Sequence, residues 1–212
     1  MATTTLLGLT LTLSPPALTL LRLAPLLSST ASLTHAYMEY LTVSSFTVAP
    51  PTTNALSRTM LGNQAPPPTS SSPVNAAELA AANEVAAPSW FVNFFNTGVW
   101  SVIGLNSVTL LSGAVNAFLF RAGLGPRSSV LYQVGLGAAV AHYAFVPLVA
   151  GSVERLYVLC VRGERGEDAG VGKGAVESVR EWVGWHVWRM GSVDCVAWGA
   201  FLGGVVSWVG SK

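Results

Sequence analysis

The sequence predicts an all-α fold, an integral membrane bundle of four helices, on three observations. Charged residues make up only 10% of the 212-residue chain, where about 25% is usual in soluble domains. Hydrophobic residues reach 51%. They gather in long charge-poor runs, and about 20 apolar residues carry a helix across the hydrocarbon core. A net charge of +1 matches neither the basic balance of a nucleic-acid binder nor the acidic balance of a disordered tail. Membrane lipid is therefore the expected surrounding, with no nucleic-acid partner, for a multi-pass protein.

A first, weaker span is expected within residues 1–28, between Thr4 and Leu27, interrupted by Pro15, Pro16 and Arg22. Its rival is a signal peptide ending near Ala31–Ala36, disfavoured because no Lys or Arg precedes the apolar stretch. Residues 29–97 are rich in Ser, Thr, Ala and Pro, as in "APPPTSSSPVNAAELAAANEVAAP". Such a segment has little large apolar surface to set against its ordering entropy. It reads as a loop, mobile and dispensable over 50–87, with one short helix from Asn75 to Ala86. "HAYMEYLTVSSF" (His35–Phe46) is expected on the membrane surface. Trp90, Phe91, Phe94 and Phe95 are expected at the membrane interface, where aromatic residues gather.

Residues 98–212 are expected to form the core, with three spans at Val99–Phe120, Ser128–Val149 and Val187–Val209. Arg121, Arg127, Glu154 and Arg155 flank the first two. Between them and the last span lies "RGERGEDAGVGKG" (Arg162–Gly174). A phosphate loop would need Gly at 167 and Ser or Thr at 174, where Glu167 and Gly174 stand, so nucleotide binding is excluded by this motif. Cys160 and Cys195 form no CxxC or metal-ligand spacing.

Small and polar residues mark packed faces in lipid, because lipid supplies little hydrophobic force between helices. Asn106, Thr109, Gly113 and Asn116 line one face and should point inward, either tying helices together or lining a polar cavity. His142 shares its face with Gly135, Ala138 and Ala139 and should face protein. Gly191, Cys195, Gly199, Gly203 and Ser207 form a small-every-four stripe suited to packing against another helix, or against a second copy of the chain.

The last span also holds His186, Arg189 and Asp194. On an ideal α-helix, Arg189 and Asp194 are about 140° apart, so they should not pair along the helix. Arg189 and His186 could instead reach the headgroups. Asp194 is too short for that, and a lone charge at such depth costs about 2.5–3.5 kcal/mol. It is expected to meet a polar partner on another helix, His142 first and the Asn106/Asn116 stripe second.

"YQVGLGAAVAHYAFVPLVAGSVERL" and "EWVGWHVWRMGSVDCVAWGAFLGGV" resemble the last two helices of small fungal membrane proteins of the anthrone-oxygenase-like family. The resemblance covers roughly Pro88 to Val209. It implies a four-helix membrane bundle, with His142 and Pro147 in the third helix and Trp182 or Trp185, His186 and Arg189 opening the fourth. His186 stands where that family often has Asn. The resemblance further implies oxidation of a lipophilic, anthrone-like phenolic in a fungal biosynthetic pathway, without metal or flavin. In such an enzyme His142 would accept a proton, and Arg189 would steady an oxyanion. Asp194 or His186 would orient these groups, and Asn106 and Asn116 would bond substrate oxygens. The competing expectation is a non-catalytic scaffold or transport accessory. A secondary transporter fits less well, since four spans without a visible repeat are few for that class.

Overall fold

A computed structural model describes residues 2–48, 55–62, 73–167 and 174–211. The fold is all-α apart from an N-terminal antiparallel hairpin of β1 (Ala2–Leu6) and β2 (Leu9–Leu13). The helices are α1 (Pro15–Ser44), α2 (Ala55–Leu61), α3 (Pro73–Ala114), α4 (Pro126–Ala141), α5 (Val146–Glu164), α6 (Ala175–Arg189) and α7 (Cys195–Val209). A π-turn at Val115–Leu119 extends α3. A 3-10 turn at His142–Phe145 joins α4 to α5, and a second π-turn at Met190–Asp194 joins α6 to α7.

Three continuous helices are long and apolar enough to cross a membrane: Ala77–Leu119, Pro126–Glu164 and Ala175–Val209. They overlap the three expected spans. Their outer faces carry large apolar side chains in the open, with Trp100 71% and Leu111 69% exposed. An apolar surface of this kind suits lipid better than water.

The fourth helix is displaced from its expected place. The Pro15–Pro16 pair opens α1 instead of interrupting it, because the first helical position needs no N–H and favours a fixed φ. Ser14 stands just ahead, accepting the Leu18 N–H on its carbonyl at 2.9 Å. The helix then runs to Ser44, through residues expected to be loop or surface-bound. Within 50–87, residues 50–54 and 63–72 lie outside the described residues, while Ala55–Leu61 and Pro73 onward are helical. Alanine is the strongest helix former, and the alanines of "AAELAAANEVAA" carry α3 far ahead of the expected Val99. The Arg162–Gly174 loop is helical as far as Glu164, and its residues 168–173 lie outside the described ones.

The chain divides into two compact units, each drawing on these helices. One comprises Met1–Glu39, Thr97–Leu148 and Trp185–Lys212; the other comprises Tyr40–Asn96 and Val149–Gly184. The second unit is built on Phe91, Leu156, Val179 and Trp182, all buried. Phe91 meets Trp182 edge-on at 5.5 Å and stacks on Phe95, so it is core rather than an interfacial anchor. Glu84 caps α6 by accepting the Ala175 and Val176 N–H groups, a carboxylate at the positive end of a helix. Arg155 pairs with Glu181.

The first unit is centred on Tyr132, Phe201, Val205 and Trp208. α4 and α7 approach closely because two positions lack a side chain. A Cβ at Gly135 would sit 2.8 Å from the Phe201 ring, and one at Gly204 would sit 2.9 Å from Tyr132. The Ser128 hydroxyl crosses to the Gly204 carbonyl at 2.6 Å. The packed face of α7 is thus Ala197, Ala200, Phe201, Gly204 and Val205. The expected small stripe packs only in part: a Cβ at Gly203 would meet Leu131 of α4 at 3.4 Å, whereas Gly191, Cys195 and Gly199 are exposed, and a Cβ at Gly191 or Gly199 would meet nothing within 4 Å. Large aromatic volume on α7 fits into glycine gaps, and that match outweighs the stripe.

Asn106, Thr109, Gly113 and Asn116 do face inward. Pro25 interrupts α1, and a proline inside a helix leaves the carbonyl four residues earlier without its donor. That carbonyl belongs to Leu21, and the Asn116 Nδ2 donates to it at 2.8 Å while also bonding the Ser112 carbonyl. Asn116→Leu should therefore destabilise the protein by about 1–3 kcal/mol, the cost of a buried unpaired group. Adding Pro25→Ala should recover most of that loss by restoring the backbone N–H. Thermal unfolding in detergent reads both, and a double variant as weak as Asn116→Leu would contradict the assignment.

Candidate functional site

Pro147 sets up the site. It cannot donate to the Tyr143 carbonyl, and its ring crowds that carbonyl. The chain tightens there into the 3-10 turn His142–Phe145, in which the Val146 N–H reaches the Tyr143 carbonyl. The turn starts at His142, whose side chain is buried within the first unit.

His142 is held on both ring nitrogens. Its Nδ1 lies 2.8 Å from Asp194 Oδ1, and its Nε2 lies 3.1 Å from Asn106 Nδ2. An amide nitrogen only donates, so Nε2 is the acceptor and Nδ1–H donates to the carboxylate. The Ser32 hydroxyl donates to the Asn106 Oδ1 at 3.4 Å, which agrees with that orientation of the amide. Asp194 thus meets its expected first partner.

Asp194 also meets Arg189. The Arg189 Nε donates to Asp194 Oδ2 at 3.2 Å, contrary to the α-helical expectation. The cause is the π-turn Met190–Asp194. Its i→i+5 hydrogen bonding brings residues five apart onto one face, where an α-helix would hold them about 140° apart. The extra residue converts two separated charges into an adjacent pair. Within the first unit the carboxylate is therefore bracketed, with one oxygen on an imidazole N–H and the other on a guanidinium.

The chain of contacts continues through Arg189. Its Nη2 donates to His186 Nδ1 at 3.2 Å, and His186 Nε2–H donates to the Ala36 carbonyl at 2.7 Å. Both residues face inward rather than reaching for headgroups, and His186 is only 1% exposed. Beyond them lie Glu39, 3.8 Å from His186, and His35, 3.5 Å from Glu39. All three histidines of the sequence stand in this one run of polar side chains.

A cavity of about 10 Å³ adjoins His142, lined by Ser29, Ser32, Asn106, Thr109, His142 and Asp194, with Ala139 and Ala197. That is room for about one water molecule. Of the six residues expected at a site, His142, Asp194 and Asn106 line this cavity. Arg189 stands behind Asp194 and balances its charge, and His186 in turn holds Arg189. Asn116 does not join them: it is committed to the Leu21 carbonyl. Among the described residues, no three His, Cys, Asp or Glu side chains are arranged to hold a metal ion.

The α1 contribution escaped the sequence reading. Ser28, Ser32, Ala36 and Glu39 recur at three- and four-residue spacing, an inward helical stripe within a segment whose Ser and Thr content reads as loop. Ser28 meets Thr109 at 2.7 Å, another tie between α1 and the polar face of α3.

The geometry fixes the imidazole tautomers. Nitrogen-15 NMR of histidine-labelled protein should show His142 protonated on Nδ1 with a bare Nε2, and His186 protonated on Nε2. A His142 carrying its proton on Nε2 would contradict the bonding described. Asn106→Leu should leave the His142 Nδ1 proton in place, because Asp194 holds it independently.

No family model matches this sequence, and neither a curated protein nor a solved structure matches it.

Proposed function

We propose that the chain is a multi-pass integral membrane protein in which His142, backed by Asp194, is a general base acting on a lipophilic, weakly acidic molecule. The observation that supports this reading is the 2.8 Å contact of Nδ1 with the Asp194 carboxylate, with both residues lining the cavity. A carboxylate on one imidazole nitrogen orients the ring and stabilises the imidazolium formed when the other takes a proton. Arg189 keeps Asp194 in place. Asn106 occupies Nε2 at rest and would turn its amide to a substrate oxygen as substrate displaces it.

The substrate class comes from the resemblance to the anthrone-oxygenase-like family, whose phenolic substrates would enter from the bilayer. Removal of a C–H proton by His142 leaves an anion that reacts directly with dioxygen. One oxygen atom stays as a new carbonyl and the other leaves as water, so no further oxidant is required. The small cavity has to widen for such a molecule. Self-association through the exposed Gly191, Cys195 and Gly199 belongs to the same proposal, since that stripe is open to a second copy.

A second reading is a non-catalytic scaffold, favoured by the one-water size of the cavity and by the pairing of each polar side chain around it. The two readings separate on Asp194. In a catalyst, Asp194→Asn should keep the fold and lower anthrone oxidation by purified protein about 10²–10⁴-fold, the usual worth of general-base catalysis. In a scaffold, no turnover is seen in the parent protein, and Asp194→Asn costs only thermal stability, because Arg189 loses its counter-charge. Asp194→Leu should destabilise further under either reading, by about 3–5 kcal/mol in all, because Arg189 loses its counter-charge and the Arg189 and His142 donors also lose their acceptor.

A further inference from the structure

At the opposite end of α4 from His142, the first unit carries positive charge that no acid balances. Arg22, Arg121 and Arg127 lie there. The sequence has no Asp or Glu before Glu39, between Glu84 and Glu154, or after Asp194. Arg121 and Arg127 are exposed. Arg22 is only 3% exposed, lies over the Trp208 ring at 4.7 Å, and has no hydrogen-bond partner for its Nε among the described residues. Its Nη2 presses on Gly123, where a Cβ would come within 2.2 Å. A fixed cation thus sits directly under the loop between α3 and α4.

That loop borders an open cavity of about 520 Å³ whose lining includes Phe118, Arg121, Leu124, Pro126 and Ser129. Ser129 is 2% exposed, yet its hydroxyl has no partner among the described residues. α4 begins beside it. No side chain caps that helix start, and no acid lies in its first turn. The N–H groups of a helix start and its dipole together attract anions. An unused buried hydroxyl, an open helix start and an arginine on one cavity make a phosphate-sized set of donors.

We propose that this cavity binds a phosphate group, presented by the headgroup of an anionic phospholipid. Arg121, the Ser129 hydroxyl and the Arg127 and Ser128 N–H groups at the start of α4 would take its oxygens, with the Arg127 side chain alongside and Arg22 as fixed charge behind. Two observations favour lipid over free phosphate. The candidate spans end at Leu119 and begin again at Pro126, which puts the loop at headgroup depth. The neighbouring surface is also apolar: β1 lies against Val115–Leu119, the hairpin turn leaves Leu7 and Leu9 exposed, and Phe118 is exposed as well. Basic pockets of this kind between spanning helices are where anionic headgroups bind.

Native mass spectrometry of the full chain in mild detergent tests the proposal with dioleoyl phosphatidate, dioleoyl phosphatidylcholine and inorganic phosphate as probes. Phosphatidate should bind at least about tenfold tighter than phosphatidylcholine, the order expected of one or two arginines near a charged headgroup. Arg121→Gln with Arg127→Gln should abolish most of that preference without moving the melting temperature, since both side chains are exposed. Ser129→Ala should weaken phosphatidate several-fold at unchanged stability. Equal binding of the two lipids, or a preference that survives the double variant, would overturn the site. An unaltered affinity in Ser129→Ala would reduce it to surface charge alone and overturn it as a built site. Displacement of phosphatidate by an equal concentration of inorganic phosphate would overturn the lipid as its source.

Discussion

The first unit depends on the placement of Asp194 between His142 and Arg189. A carboxylate in a mostly apolar bundle is tolerable only when its charge is matched and both oxygens are occupied. Here one oxygen faces the imidazole at 2.8 Å and the other faces the guanidinium at 3.2 Å. The guanidinium comes from the same helical rod and the imidazole from another, so the contact sets the register of α4 against the π-turn between α6 and α7. Asn106 and Ser32 extend the lock to α3 and α1. Polar groups that would each be costly alone become the ties joining the helices.

Three of the polar ties in this unit sit at breaks in regular helix. Pro25 frees the carbonyl that Asn116 binds, Pro147 forces the turn that carries His142, and a π-turn brings Arg189 to Asp194. Irregular backbone inside a membrane bundle survives where neighbouring side chains or local 3-10 and π adjustments satisfy the freed groups. The irregularities and the buried polar residues are thus parts of one arrangement. The same arrangement holds His142 on both ring nitrogens at the edge of a small cavity.

Much of this is legible in the residues themselves. The charge-free runs between Arg and Glu residues mark the three long spans, and the Asn106–Asn116 spacing marks an inward face. The partnership of Asp194 with His142 follows from the cost of a deep carboxylate. What is not legible comes from local geometry. An α-helical wheel separates Arg189 from Asp194, since a π-turn leaves no mark in composition. The serine stripe of α1 looks like loop because Ser and Thr favour both turns and close helix contacts. The Gly191–Gly199 stripe looks like a packing seam, yet Phe201 and Gly204 place the true seam on the opposite side of the helix, through the fit of aromatic rings into glycine gaps.

The ionisation of Asp194 is the most direct measure of the account. The sequence contains only two aspartates, Asp168 and Asp194, so aspartate labelled with carbon-13 in an Asp168→Asn background reports one carboxyl group. Infrared difference spectra against the further Asp194→Asn variant should show an ionised carboxylate near neutral pH, shifted by its two strong donors. A protonated carbonyl band in its place would mean a neutral acid that needs no arginine, and the bracketed charge on which the site rests would be wrong.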